Sequence, residues 1–250
     1  MDAPICWVGG KSRLRKTIIE RIPEHVCYVE VFGGAGWVLF GKEQSKSEVY
    51  NDIDGELVNF FRVVKNCHKA FLQAYEWILV SRKMFRDFIE AKPEELDEIQ
   101  RAVRFFYIVR ASFGGKWKGA SFGYSRTEKA HFNLDNVEGI VKGVYDRLRR
   151  VTIEECSFEK VVERYDSKDT FFYLDPPYYN IFFYKHNFIQ EDFDRMSEVL
   201  AGIKGRFIMS LNDCEEVRKM FARYRIEEVY VRYSIAKLED KSGELLIRNY

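Results

Sequence analysis

Net charge is almost missing from this chain: 40 Lys and Arg against 39 Asp and Glu leave +1 over 250 residues, so overall electrostatics announces no polyanion partner. Cysteine is sparse as well. Cys6, Cys27, Cys67, Cys156 and Cys214 are odd in number, scattered and free of C-x-x-C spacing, which suits a reducing compartment and argues against a zinc site. No apolar run approaches the length of a membrane span. The start, Met1-Asp2-Ala3-Pro4, lacks the charged-then-apolar pattern of a signal peptide. A soluble, cytoplasmic protein with no membrane partner is the expectation.

Proline is equally scarce, yet two of the five stand side by side in Asp175-Pro176-Pro177-Tyr178. The run before them, Thr170-Phe171-Phe172-Tyr173-Leu174, is β-branched and aromatic and reads as a buried strand. The double proline ends that strand where Asp175 emerges. A carboxylate and a carbonyl of the fixed proline backbone can together hold both hydrogens of a planar amine, and Tyr178 offers a face the size of a nucleobase. The plainer reading, a proline turn after a strand, explains Pro176 and Pro177 but requires neither the acid nor the ring.

Short apolar strands recur at 27–31, 47–51, 151–155, 170–174 and 206–211 with helical stretches between most of them, the pattern of a parallel sheet covered by helices. Two further β-rich runs, 226–235 and 244–250, flank a turn signal at 239–243 and read as a terminal antiparallel hairpin at a sheet edge. The fold class is therefore α/β, a doubly wound, Rossmann-like sheet of seven strands. From about Phe60 to Leu148 the pattern is mostly helical, which assigns 1–60 and 149–250 to one domain and 61–148 to an insert. Within the insert, Arg101, Arg104, Arg110, Lys116, Lys118, Arg126 and Lys129 face one acid, Glu128. This suggests a basic face, with Arg110, Lys116, Lys118 and Arg126 as phosphate contacts and Trp117, Phe122 and Tyr124 as wedge or stacking residues. The alternative is a solvated basic loop with its aromatics tucked underneath.

After the first strand, Glu30-Val31-Phe32-Gly33-Gly34-Ala35-Gly36 places glycines at a strand-to-helix turn, where positive φ and close backbone approach to a ligand are possible. The second strand ends in Asn51-Asp52-Ile53-Asp54, with an acid where doubly wound folds accept ribose hydroxyls; a helix N-cap explains either acid equally well. Trp7-Val8-Gly9-Gly10-Lys11 adds two glycines and a lysine that could hold a carboxylate. It lacks Walker-loop spacing, which favours an amino-acid tail over a phosphate.

In this order, W-x-G-G-K at Trp7 to Lys11, E-x-F-G-G-x-G at Glu30 to Gly36, N-D-I-D at Asn51 to Asp54 and D-P-P-Y at Asp175 to Tyr178 resemble the Dam-like class of DNA adenine-N6 methyltransferases. The likeness extends to Ser210-Leu211-Asn212-Asp213 and to Glu244-Leu245-Leu246-Ile247-Arg248-Asn249-Tyr250, but not to the recognition segment between Ser112 and Asn133. The resemblance implies S-adenosylmethionine as methyl donor. Trp7, Gly10 and Lys11 would lie near its methionine part, Phe32, Gly34 and Gly36 would form its floor, Asp52 would hold its ribose and Phe158 would contact its adenine. It further implies double-stranded DNA as partner, a target-recognition role for the insert, and a catalytic set of Asp175, Pro176, Pro177 and Tyr178.

On this reading Asp175 and the Pro176 carbonyl orient an amine whose lone pair is otherwise delocalised into the ring. The adenine must first leave the duplex at a cost of a few kcal/mol, offset in part by Tyr178 stacking. Tyr179, Phe182, Phe183 and Tyr184 either line that base or belong to the core. Competing readings are methylation of cytosine N4, RNA or a protein amide on the same fold, or a catalytically silent nucleic-acid-binding module. A monomer is expected, and a cognate restriction endonuclease is one conceivable functional partner.

Overall fold

A computed structural model describes the whole chain except residues 8, 113, 114, 116, 118, 124–135, 182–186 and 232–241. Seven strands form one sheet: β1 (Cys27–Glu30), β2 (Ser47–Asn51), β3 (Val151–Glu154), β4 (Thr170–Leu174), β5 (Arg206–Asn212), β6 (Arg225–Val231) and β7 (Ser242–Arg248), in the order β3-β2-β1-β4-β5-β7-β6. The first five run parallel, and β7 enters antiparallel between β5 and β6. The expected hairpin is therefore present, with β6 at the edge and β7 inside the sheet.

Alternation along the strands sorts side chains to two faces. Tyr28, Phe171, Tyr173 and Ile208 join one hydrophobic cluster, while Val29, Phe172, Leu174, Phe207 and Met209 join the other. The second face is covered by α7 (Phe158–Tyr165), α8 (Gln190–Ala201) and α9 (Glu215–Met220), through Val161, Phe193, Met196 and Val217. The first is covered by α1 (Arg15–Ile19), α2 (Trp37–Gly41), α3 (Gly55–Tyr75), α5 (Glu98–Ala111) and α6 (Val137–Leu148), with α4 (Arg82–Glu90) packed on α5.

Two caps set the long helices: Asp54 accepts from the Glu56 amide to begin α3, and Asp97 with Gln100 closes a capping box on α5. The residue at which the insert was expected to begin, 61, lies inside α3. Phe60, Phe71, Phe105 and Phe106 pack in the same cluster as Tyr28 and Tyr50 of the sheet, so α3 and α5 share a core with it. Among the described residues no helix is long and apolar enough to cross a membrane.

Candidate active site

Strand order reverses between β1 and β4, the place where open α/β sheets leave a crevice beyond their carboxyl ends. A cavity of about 680 Å³ lies there, lined by the segments that follow β1, β2, β3 and β4 together with Trp7 and Lys11.

One end of the cavity is a network of side-chain charges. Asp175 leaves β4 beside Lys11, whose Nζ stands 2.6 Å from Oδ1, and Ser210 on β5 donates its hydroxyl to the same oxygen at 2.9 Å. Among the described residues both contacts fall on Oδ1, so Oδ2 is the oxygen available to a ligand. Burial pushes the Asp175 carboxyl above its ordinary range, and Lys11 opposes that shift. Lys11 is itself buried, and although burial works against its charge, Asp175 leads the groups that hold its ammonium well above the usual lysine range. Tyr178 presents its ring 4.7 Å from the same Nζ and donates its hydroxyl to Glu244 at 2.6 Å.

The other end is made of backbone turns and rings. Gly34 and Gly36 have φ of 50° and 74°, which only glycine adopts without strain, and a Cβ on Gly33 would stand 2.1 Å from the Tyr50 ring. Asp52 fixes this turn: Oδ2 accepts from the Gly34 amide at 2.8 Å and Oδ1 from the Asp54 amide at 2.9 Å. Burial raises its carboxyl to about 6. Asn51 ties the strand ends together, donating to the carbonyls of Val31 and Cys156 and accepting from the Cys156 amide. Phe32, Phe158 and Phe188 form an aromatic corner with centroids 5.6 to 6.0 Å apart. Glu30 lines the cavity floor, its Oε2 accepting from Tyr28 and from the Leu39 amide, and burial lifts it to about 8.

An acid with one oxygen unengaged among the described residues, beside an aromatic ring and next to a glycine-turned crevice with an aromatic corner, is a geometry for passing a small group to a planar amine. Over residues 7–235 the chain matches the family described as D12 class N6 adenine-specific DNA methyltransferase. The chain belongs to this family. It transfers a methyl group to N6 of adenine in DNA, with S-adenosylmethionine as donor. The methyltransferase is 26% identical over 262 residues to Type II methyltransferase M.CviBI of Paramecium bursaria Chlorella virus NC1A, covering 100% of both chains. It is 25% identical to Type II methyltransferase M.MjaIII of Methanocaldococcus jannaschii, covering 98% of this chain and 97% of that one. It is also 25% identical to the DNA adenine methylase of Escherichia coli, covering 92% of this chain and 87% of that one.

The methyltransferase brings most of the expected site residues to one cavity: Trp7, Gly10, Lys11, Phe32, Gly34, Asp52, Phe158, Asp175 and Pro177 all line it. Gly36 is buried behind the turn, and Tyr178 reaches the site through Lys11 and Glu244. Of the two acids after β2, Asp54 caps α3, and both Asp52 and Asp54 line the cavity.

Three of the seven basic residues of the expected face, Arg101, Arg104 and Arg110, have partners within the protein. Arg101 pairs with Glu56, Arg104 donates to the Phe88 carbonyl at 2.6 Å, and Arg110 donates to the Pro4 carbonyl at 3.1 Å and lies over Phe106. Arg104 lies within the buried stretch of α5 from Ala102 to Val109, and Arg101 and Arg110 flank it. Trp117 packs on Phe105, and Phe122 packs on Phe85, so these two rings are the tucked-under kind. Lys116, Lys118, Tyr124, Arg126 and Lys129 lie outside the described residues, as do Phe182, Phe183 and Tyr184. Tyr179 turns away to α8, with its hydroxyl on Gln190 and its ring 5.3 Å from Phe193.

Sequence reasoning gave no role to Glu30, Asn51, Phe188, Ser210 or Glu244. Glu30, Asn51, Ser210 and Glu244 stand inside the quoted motifs, which was the available signal. Phe188 has none.

Proposed function

We propose that the charged end of the cavity receives an adenine flipped out of double-stranded DNA, and that the glycine and aromatic end receives the donor. The observation that carries the reading is Asp175 with Oδ1 committed to Lys11 and Ser210 and Oδ2 available. Asp175 Oδ2 and the Pro176 carbonyl take the two amine hydrogens, turning the nitrogen lone pair out of conjugation, and Tyr178 stacks on the base. Lys11 keeps Asp175 anionic against burial. Asp175 acts first as an orienting acceptor, and the proton that N6 must lose can leave through Oδ2.

The donor end fits the group it would hold. Phe158, Phe32 and Phe188 suit a purine ring, Asp52 at the end of β2 suits ribose hydroxyls, and the turn through Gly34 and Gly36 suits close approach of a chain. The bound donor supplies an electrophilic methyl on a sulfonium. Trp7 and Gly10 are assigned to its methionine part, with the Lys11 stem near it and the Lys11 ammonium turned to Asp175 and Glu244. Residues 61–148 are assigned to target recognition, with Lys116, Lys118, Tyr124 and Arg126 as DNA contacts, a reading supported by the charge and aromatic content of that segment. Two relatives named Type II methyltransferases support a cognate restriction endonuclease as functional partner. A cytoplasmic monomer completes the proposal, since only one strand need be modified per visit.

The test is transfer from labelled S-adenosylmethionine to unmethylated genomic DNA, followed by nucleoside analysis, beside Asp175→Ala. N6-methyladenine from the parent and its loss in the variant are expected. Label on cytosine, or on adenine in both proteins, overturns the assignment.

A further inference from the structure

Glu244 has no part in the steps above, yet its side chain is only 3% exposed at the acceptor end of the cavity. It arrives on β7, opposite Asn212 of β5. Its Oε1 accepts the Tyr178 hydroxyl at 2.6 Å and lies 3.3 Å from Lys11 Nζ. Oε2 is buried and has no hydrogen-bond partner among the described residues. A neutral acceptor would satisfy the Tyr178 hydroxyl, so a buried carboxylate with one unmatched oxygen is a costly way to do only that.

Lys11 supplies the reason for the charge. Three oxygens surround its Nζ, Gly9 O at 3.1 Å, Asp175 Oδ1 at 2.6 Å and Glu244 Oε1 at 3.3 Å, matching the three N–H groups of an ammonium. With Glu244 removed, Asp175 becomes the one carboxylate beside this cation. The ammonium can then take both Asp175 oxygens and deprive the base of its acceptor.

We infer that Glu244 is a positioning residue of the acceptor pocket: it draws Lys11 to one side of Asp175 and fixes the Tyr178 ring, so that Oδ2 stays open to the amine. This rests on the placement of adenine at Asp175 proposed above. Glu244 itself is not among the residues that line the cavity.

The test compares the parent with Glu244→Ala and Glu244→Gln, the second preserving shape in case the first fails to fold. Steady-state kinetics with saturating DNA is combined with a crystal structure of Glu244→Gln. The expected result is a kcat at least about tenfold lower in both variants, a KM for S-adenosylmethionine within about twofold of the parent, and Lys11 Nζ shifted onto both Asp175 oxygens. A kcat within about threefold of the parent, a donor KM that rises in step with the fall in kcat, or Lys11 unmoved in the variant structure overturns the inference. Should the parent transfer no methyl to adenine, the proposed function fails, and the position of Lys11 in the variant structure still decides the role of Glu244.

Discussion

The two ends of the cavity are built on opposite plans. The end proposed for the donor is made of contiguous segments at the carboxyl ends of β1, β2 and β3, held by backbone amides and rings: Gly34 bonded to Asp52, Asn51 tying the strand ends, Phe32 against Phe158. The end proposed for the acceptor is made of single side chains far apart in the chain, Lys11, Asp175, Ser210 and Glu244, joined by ion pairs and a hydrogen bond. Backbone turns and ring contacts give a shape that tolerates loss of one part. A buried ion cluster depends on every member, because removing one leaves the others unpaired in a poorly solvating medium.

That contrast predicts a ranking. Lys11→Met should be the most damaging substitution, since it strips the cation from two buried carboxylates: a loss of about 3–5 kcal/mol in urea denaturation, with methyl transfer down at least about a hundredfold. A stability change within about 1 kcal/mol would mean that the cluster is not held by its charge. Next, Phe158→Ala at the donor end should raise the KM for S-adenosylmethionine about tenfold with kcat nearly unchanged, equivalent to about 1.4 kcal/mol of lost ring contact. A fall in kcat without a change in KM would erase the distinction between the ends.

Smaller effects concern protons. Asp175 must be ionised to accept the amine, and its carboxyl is already raised by burial, so the acid limb of kcat should lie above the ordinary carboxylate range. Ser210→Ala removes a hydrogen bond that favours the ionised form, so that limb should move to higher pH; a move to lower pH would contradict the assignment. Glu30 gives the smallest effect. Its carboxyl is raised from 4.5 to about 8, so the folded state binds the extra proton between those values, and its contribution to stability falls as pH rises through that window. Glu30→Gln, which imitates the protonated acid, should leave the melting temperature near pH 5 unchanged and raise it by a few degrees near pH 9. Equal shifts at both pH values would locate the effect in packing instead.

The same contrast explains what could be read in advance. All seven strands were legible, because hydrophobic runs and turn residues mark them locally; only their ends moved, as at Asn212, which extends β5 by one residue. That Phe32, Gly34, Asp52 and Phe158 line one cavity was legible because each belongs to a short segment at a strand end. Lys11 was read as a holder of a carboxylate, and the carboxylates beside it belong to Asp175 and Glu244 of the chain itself. Glu244 escaped a role because the contact depends on β7 slotting between β5 and β6, which brings residues 66 apart together. The inward contacts of the α5 arginines were not legible for a different reason. A count of charges along α5 ignores that the helix is buried, so Arg104 must find the Phe88 carbonyl and Arg110 the Pro4 carbonyl.

The most direct test of the central claim is one experiment on Asp175→Asn: calorimetric titration with S-adenosylmethionine beside the single-turnover rate of methyl transfer to DNA. If the ends divide the work as described, donor affinity stays within about threefold of the parent while the rate falls at least about a hundredfold. Loss of affinity in proportion to rate, or transfer at the parental rate, would contradict the account.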